Sequence, residues 1–187
     1  TISEPRLSRD HTERMFAYFG IPFHRDGCTV RIEGRPSIRW SGKTVVVPGD
    51  LSAAAFFIVG ASIVPDSDVT VLSVGMNPTR TGLLDILRQM GAHIEVLNPR
   101  EEAGEPVADL RVRSMPLRGV QIGPEQIPQT IDEFPILCVA AAVADGETVI
   151  TGAEELRVKE SDRLATMAAE LRAMGVRIEE RPEPRQV

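Results

Sequence analysis

The chain has 187 residues, 42% of them hydrophobic and 26% charged, which is typical of a soluble globular protein with one domain or parts of two. A net charge of −6 and an aromatic content of 4% argue against a general nucleic-acid or membrane-surface binder. The longest apolar run, 53–64, is interrupted by Gly60 and Ser62, so it predicts a buried helix rather than a membrane span.

The two cysteines and three histidines are too scattered to suggest a metal site. Cys28 and Cys138 lie in no CxxC spacing, and His11, His24 and His93 form no HxH or HxxxH pair. We therefore expect no metal, two reduced and mostly packed thiols, and a cytoplasmic protein. No signal peptide is visible, and both ends of the sequence have the character of cut ends, so we expect a fragment.

Three segments, 1–23, 69–96 and 148–180, repeat one pattern, and such repeats decide a fold. Each predicts a short strand, a charged loop, an amphipathic helix that ends at glycine, and a second strand. Glycines follow the last apolar helix positions, where a C-cap needs positive φ; they are Gly20, Gly91 and Gly175. The apolar helix positions are Met15, Phe16 and Phe19, then Leu83, Leu84, Leu87 and Met90, then Leu164, Met167, Ala168, Leu171 and Met174.

Further strands are predicted on either side of a hairpin tip. Residues 92–96 and 176–179 alternate as half-buried strands do, and 110–113 add another β-run. Residues 99–106 combine proline, glycine and charges, which predicts an exposed hairpin tip. Glycine, proline and serine interrupt the pattern over 35–47, where we expect a break between two pieces of structure.

Asp50 and Asp132 each precede an alanine-rich apolar helix, predicted over 51–64 and 133–144. With the repeats they complete a βαβαββ unit, so we expect an α/β (α+β) fold built from such units. A carboxylate at a helix start is stabilised by unpaired amide groups and the helix dipole. The residues alone leave open that both acids are simple N-caps.

The charged run 157–163 lies where a strand meets a helix, a place suited to binding a phosphate or carboxylate. Lys159 and Arg163 share one helical face if the turn begins near Lys159. Glu160 is a candidate proton donor if its pKa is raised, and Asp132, at the edge of an apolar helix, is a candidate base for a hydroxyl. The alternative is a solvated, salt-bridged helix start capped by Asp162.

Several motifs resemble those of the EPSP synthase family. The strings VPGDLSAAAF, MNPTRTG, ADLRVRS and IDEFPI match segments of that family, and LRVKESDR is its most specific signature. SRDHTE and MNPTRTG are typical of its bacterial members. The resemblance runs in order along essentially the whole chain.

The resemblance implies two similar domains, each with three βαβαββ units, that close over the substrates. It places residues 1–45 at the end of the first domain and 46–187 in an incomplete second domain. The implied reaction moves the enolpyruvyl group of phosphoenolpyruvate to the 5-hydroxyl of shikimate 3-phosphate, releases phosphate and uses no metal or organic cofactor. These small molecules are the implied partners, with no nucleic acid and no membrane, and the full-length enzyme is expected to be a monomer.

The resemblance also implies roles for individual residues. Asp132 matches the proton acceptor that contacts the ring hydroxyls, and Glu160 matches the proton donor. Lys159 matches a ligand of shikimate 3-phosphate, and Arg163 matches a ligand of phosphoenolpyruvate. Three further positions match places near the substrates: Ser8 and Arg9 at the shikimate phosphate, and Asp50 near the hinge between the domains.

Other phosphate-binding segments of the family have no counterpart here, so we expect the fragment alone to show no turnover. Three alternatives stay open: the sister transferase that acts on UDP-N-acetylglucosamine, a non-catalytic relic or binding module, and one segment of the multifunctional fungal shikimate protein. LRVKESDR disfavours the first, and the bacterial-looking motifs disfavour the last.

Overall fold

The structure, a computed structural model, describes residues 1–34 and 41–181, which form three sheets and five α-helices. The strands are β1 (Ile2–Ser3), β2 (His24–Asp26), β3 (Thr29–Arg31), β4 (Asp68–Gly75), β5 (His93–Glu102), β6 (Glu105–Arg113), β7 (Gln121–Ile122) and β8 (Val149–Ile150). The helices are α1 (His11–Phe19), α2 (Leu51–Ile63), α3 (Gly82–Gln89), α4 (Phe134–Val143) and α5 (Arg163–Ala173).

The first 34 residues form a small sheet and one helix. β3 pairs antiparallel with both β1 and β2, and α1 connects β1 to β2. The glycine caps are confirmed, because Gly20, Gly91 and Gly175 all adopt left-handed φ values. The predicted apolar face of α1 is wrong at Met15, which is exposed, since α1 contacts the central sheet through polar side chains such as His11.

The central sheet has the order β4-β6-β5 and is antiparallel throughout. Its register shifts on both sides of β6, and within these two bulges Ser73 and Asn98 have positive φ. Asp109 on β6 accepts hydrogen bonds from the Ser73 amide at 2.8 Å and from Asn98 Nδ2 at 2.9 Å. One carboxylate therefore stabilises both bulges, and the Asn98 bond chiefly holds the pKa of Asp109 below its usual value.

The hairpin predicted over 99–106 is confirmed, but its tip is half-buried rather than exposed. Ala103 and Gly104 alone form the turn between β5 and β6, both with positive φ, as tight hairpins require. The tip packs against α1, where Arg14 Nη1 donates to the Gly104 carbonyl over 3.2 Å. A side chain at position 104 would meet the Arg14 carbonyl at 3.1 Å, so glycine permits this contact.

The second and third repeats contain the same kind of crossover, in which a helix connects two segments that pair in parallel, as the βαβαββ pattern predicts. Gly49 bridges to Val74 in parallel on either side of α2, and β7 pairs in parallel with β8 on either side of α4. The apolar faces predicted for α3 and most of that for α5 lie in the common core. Its most deeply buried side chains include Ile58, Val59, Leu83, Leu84, Leu87, Leu110 and Leu137.

The third repeat departs from the prediction at its end. Residues 176–179 form no strand within the described part of the chain, although Val176 and Ile178 still pack partly buried against the core. Met174, the C-cap that follows α5, is 76% exposed, so its predicted burial is wrong. The division into 1–45 and 46–187 stays a prediction, and 35–40 and 182–187 lie outside the described residues.

Both cysteines are free thiols; Cys138 is buried and Cys28 is half-buried. Burial raises the pKa of Cys138 to about 12. Within residues 1–34 and 41–181, no helix combines the length and hydrophobicity needed to cross a bilayer, and no group of His, Cys, Asp and Glu side chains could hold a metal ion.

Candidate functional site

Asp132 lies among guanidinium groups from distant parts of the chain. Arg9 donates a hydrogen bond to Asp132, and Arg163 Nη1 lies 3.7 Å from Asp132 Oδ1. Arg163 is itself held, because its Nη1 donates to the Ile131 carbonyl over 3.3 Å. The Arg9 hydrogen bond is the main reason that the pKa of Asp132 lies below its usual value; burial opposes the shift, and the charges of Arg9, Arg80 and Arg163 add to it.

Asp132 does not open the apolar helix as an N-cap, so the N-cap interpretation of this acid is wrong. α4 begins at Phe134, and its N-cap is Glu133, whose side chain makes no capping hydrogen bond. Pro135 lies in the first turn, where no amide donor is needed. Asp132 thus precedes the helix by two residues, and its carboxylate contacts arginines instead of helix amides.

The charged run 157–163 is divided between two helical turns. A 3-10 turn covers Glu154–Val158, and α5 begins at Arg163. Asp162 is the N-cap of α5, since its carboxylate accepts from a backbone amide of the first turn over 2.9 Å. The capping part of the salt-bridged alternative is therefore confirmed, while Arg163 at the helix start still faces Asp132.

Lys159 and Glu160 lie between these two elements. The prediction that Lys159 and Arg163 share a helical face is wrong, because α5 begins after Lys159, whose Nζ pairs with Glu155 Oε1 at 2.8 Å. Arg163 Nη2 donates to Glu160 Oε2 over 2.8 Å, so one guanidinium connects Glu160 with Asp132. Glu160 is 81% exposed, and its pKa lies below the usual value, first through a backbone amide and then through Arg163.

Arg9 is brought to Asp132 from a loop 123 positions earlier, and Ser8 is exposed beside it. A buried polar pair anchors this loop. The carboxylate of Asp10, which is 8% exposed, accepts from Asn77 Nδ2 over 2.8 Å. The Asn77 side-chain carbonyl, in turn, begins the loop that leads to α3 by accepting from a backbone amide two residues on at 2.9 Å.

Asp50 is the N-cap of α2 and also contacts the site. Its carboxylate accepts from the Ser52 amide over 3.1 Å, which confirms the N-cap interpretation for this acid. Arg80 Nη2 lies 3.3 Å from Asp50 Oδ1 and 3.8 Å from Glu133 Oε1, and it donates to Ser52 Oγ over 2.6 Å. Asp50 therefore adjoins the guanidinium of Arg80 as well as its helix.

Three residues of this site, Ser52, Arg80 and Glu133, were not identified from the sequence. Each lies inside one of the motifs that carry the family resemblance, but a motif does not indicate which of its polar side chains face one another. The one usable signal was Glu133, an acid directly before an apolar helix and beside a second acid. Two adjacent acids with a buried neighbourhood need cations close by.

The arrangement suits a small polyanion with a hydroxyl group. Arg9 and Arg163 provide guanidinium donors, which bind phosphate and carboxylate in fixed geometry, while the guanidinium of Arg80 is held by Ser52, Asp50 and Glu133. Asp132 is an ionised acceptor at their centre, and Glu160 is a second carboxyl group at the exposed edge. Two carboxyl groups and anion-binding cations thus lie within one region.

A family model described as EPSP synthase (3-phosphoshikimate 1-carboxyvinyltransferase) matches residues 1–186. The chain belongs to this family. The 3-phosphoshikimate 1-carboxyvinyltransferase of Alkalilimnicola ehrlichii is 60% identical over 182 residues, which cover 97% of this chain and 40% of the relative. That of Geobacter sulfurreducens is 56% identical over 179 residues, which cover 96% of this chain and 41% of the relative. A solved structure of EPSP synthase from Acinetobacter baumannii matches with a TM-score of 0.84 at 49% identity, covering 89% of this chain and 37% of that chain.

The chain thus spans about two-fifths of the length of these EPSP synthase relatives. The predicted family and the mixed α/β class are confirmed by the matches and by the architecture of the solved relative. The roles assigned to individual residues stay predictions.

Proposed function

We propose that this chain forms the acid–base part of a 3-phosphoshikimate 1-carboxyvinyltransferase, which transfers the enolpyruvyl group of phosphoenolpyruvate to the 5-hydroxyl of shikimate 3-phosphate and releases phosphate. The observation that carries the proposal is the meeting of Asp132 with Arg9 and Arg163, which come from three separate segments. Family membership supports the choice of substrates. By itself the chain has no turnover in this proposal, since it spans about two-fifths of its relatives.

Asp132 is the proposed proton acceptor. As the 5-hydroxyl oxygen forms a bond to C2 of phosphoenolpyruvate, its proton passes to the Asp132 carboxylate. The ion pair between Arg9 and Asp132 opens first, so that Arg9 binds the shikimate phosphate and Asp132 receives the ring hydroxyl. A positioned base of this kind contributes roughly 10²–10⁴-fold to the rate.

Glu160 is the proposed proton donor to the methylene carbon of phosphoenolpyruvate. Its pKa lies below the usual value while Arg163 is bound to it, which is the wrong direction for an acid. When Arg163 binds the carboxylate or phosphate of phosphoenolpyruvate and water is excluded, this stabilisation is lost and the Glu160 pKa rises. In the second step a proton of the new methyl group returns to Glu160 as the carbon–carbon double bond re-forms and the bond between C2 and the phosphate oxygen breaks. The proton held by Asp132 passes to the departing phosphate, which completes the transfer.

Lys159 and Ser8 are proposed ligands of shikimate 3-phosphate, and Asp50 is proposed to contact the site through Arg80. Lys159 must exchange Glu155 for the substrate, because its ammonium group is paired with the Glu155 carboxylate. We also propose a cytoplasmic location and a monomeric full-length enzyme, which cell fractionation and sedimentation would test. The relatives are named as acting on 3-phosphoshikimate, so the sister-transferase alternative is set aside.

The test is a hybrid enzyme in which this chain replaces the matching 40% of the Alkalilimnicola ehrlichii relative. Phosphate release with both substrates should be present in the hybrid, and it should fall about 100-fold or more in Asp132→Asn and in Glu160→Gln. Glu170→Gln, an exposed acid on α5, is the matched control and should leave the rate unchanged. Full activity in Asp132→Asn would overturn the assignment, and an inactive but folded hybrid would favour a non-catalytic relic.

A further inference from the structure

Three side chains beside Asp132 form a connected chain that the proposed mechanism does not use. Arg80 Nη2 donates to Ser52 Oγ over 2.6 Å, and Ser52 Oγ donates to Glu133 Oε1. The same Arg80 nitrogen lies 3.8 Å from Glu133 Oε1, so the serine connects two groups that also attract each other directly. The three residues come from α2, from the loop before α3 and from the start of α4.

Burying these connected polar side chains costs free energy, so their arrangement needs an explanation other than stability. Glu133 is 2% exposed, and burial raises its pKa, while the Ser52 hydrogen bond and the charge of Arg80 oppose that rise. A buried ion pair contributes little net stability, because desolvation cancels most of the attraction. Helix capping does not account for Glu133 either, since its side chain makes no capping bond on α4.

The hydrogen bonds among Ser52, Arg80 and Glu133 fix the guanidinium of Arg80 beside Asp132, and the substrates do not take this cation. Arg9 and Arg163 contact Asp132 directly, and the proposed function assigns both to substrate anions. Arg80 acts on Asp132 from a greater distance and lowers its pKa, whereas the neighbouring carboxylate of Glu133 interacts with Asp132 in the opposite sense. These four charged groups act on Asp132 from the elements packed around it.

Two further acids lie at the edge of this group of charges. Asp50 Oδ1 is 3.3 Å from Arg80 Nη2, and Glu160 reaches the group only through Arg163. Arg80 is therefore held by Asp50, Ser52 and Glu133 together. Its guanidinium has no need to move when a substrate displaces the other two arginines.

We propose that Ser52, Arg80 and Glu133 form a positioning unit that keeps one guanidinium beside Asp132 after substrate anions have taken Arg9 and Arg163. The proposal deepens the proposed function and rests on it wherever Asp132 is treated as a base. Ser52 carries no charge, so it can influence Asp132 only through the two charged groups that it contacts, Arg80 and Glu133, and the Arg80→Met background tells these two routes apart. This makes Ser52 the decisive residue for a test.

The first experiment is a carbon-13 NMR titration of the Asp132 carboxyl group in this chain, with the signal assigned from Asp132→Asn. Arg80→Met removes a positive charge and should raise the pKa of Asp132 by about half a pH unit or more. Ser52→Ala should shift it in the same direction, and it should add nothing in the Arg80→Met background. Ser52→Thr keeps the hydroxyl and should restore the original titration.

The control is Ser161→Ala, an exposed serine near Glu160 that lies outside the positioning unit. It should leave the Asp132 titration unchanged. If Ser52→Ala also leaves it unchanged in a folded protein, or if its effect persists undiminished in Arg80→Met, the positioning unit does not exist. The Ser52→Thr variant separates this outcome from general loss of structure.

The second experiment measures the pH dependence of enolpyruvyl transfer in the hybrid with the Alkalilimnicola ehrlichii relative. Ser52→Ala should move the acid limb of kcat to higher pH by the same amount as in the NMR titration, with a smaller effect on KM. A shifted titration in an inactive hybrid would sustain the positioning unit and refute the proposed function. An active hybrid in which Ser52→Ala alters neither the titration nor the pH dependence would sustain the proposed function and refute the positioning unit.

Discussion

Replacing Asn77 with alanine should separate the first 34 residues from the central sheet. Asn77 is 2% exposed, and its Nδ2 donates to Asp10 over 2.8 Å and to Glu105 Oε2 over 3.1 Å. Its carbonyl accepts from the amide of Thr79 at 2.9 Å and from its hydroxyl at 2.7 Å. One side chain thus satisfies two carboxylates and one backbone turn.

The cost follows from these four hydrogen bonds. Bonds to carboxylates contribute about 1.5–3 kcal/mol each and neutral ones about 0.5–1.5 kcal/mol, but contributions in one network are not additive. We expect Asn77→Ala to lower the free energy of unfolding by about 3–5 kcal/mol. Most of the loss comes from Asp10, which remains buried with one donor fewer.

The variant Asn77→Asp tests the same hydrogen-bond network through the pH dependence of stability. An aspartate there faces Asp10 and Glu105, so its folded pKa lies above its unfolded pKa of about 3.9. Its penalty relative to the parent chain is therefore largest near pH 8 and shrinks as the pH falls toward 4. Urea unfolding at several pH values measures this, with Gln89→Glu as an exposed control for the added charge.

Hydrogen exchange locates the effect. Amides of α1 should lose protection in Asn77→Ala before those of α3 do, because the network joins α1 to the sheet. A loss below about 1 kcal/mol, with α1 protection intact, would refute the idea that this network holds the first segment in place.

Two further predictions concern glycines and thiols. Gly60→Ala should stabilise the chain by about 0.5–1 kcal/mol, since Gly60 lies inside α2 with open space around it. Gly82→Ala should cost about 1–3 kcal/mol, because its Cβ would approach Thr130 Cγ2 to 2.7 Å. Urea midpoints that rank these two variants in the opposite order would contradict both predictions. In thiol labelling, Cys28 should react in the native chain and Cys138 only on unfolding, because Cys138 is buried with a pKa of about 12; equal labelling of both would contradict this.

The fold was largely accessible from the sequence because its signals are local. Helix periodicity and the positive-φ requirement after the last apolar turn give the ends of α1, α3 and α5 from the neighbouring residues alone. The predictions that failed depend on contacts between elements that are distant in the sequence. Alternation over 176–179 describes a strand only if another strand pairs with it, and no periodicity states whether Met174 faces a neighbour.

The site was less accessible, because side-chain direction depends on where a helix begins. The sequence leaves open whether Asp132 is an N-cap or a base, but α4 begins two residues after it, and this offset directs the carboxylate to Arg9 instead of to helix amides. The same kind of offset separates Lys159 from Arg163. Pairing across 123 positions leaves no local pattern, so only the family resemblance linked Arg9 with Asp132 before the structure did.

The cations of this site are paired with acids of the same chain, and this has a measurable consequence for binding. Arg9 is paired with Asp132, Arg163 with Glu160, and Lys159 with Glu155. Substrate anions that take the arginines leave Asp132 and Glu160 beside new negative charge, which raises the pKa of both carboxyl groups. In the proposed function, binding of shikimate 3-phosphate and phosphoenolpyruvate to the hybrid enzyme is therefore accompanied by proton uptake.

Calorimetry in buffers of different ionisation enthalpy measures that uptake directly. Glu160→Gln should reduce it for phosphoenolpyruvate, since the released group can no longer take up a proton, while Glu170→Gln on α5 should not. Binding heats that are independent of the buffer would mean that the substrates leave these ion pairs intact. In that case Glu160 would keep its low pKa in the complex and could not protonate the methylene carbon.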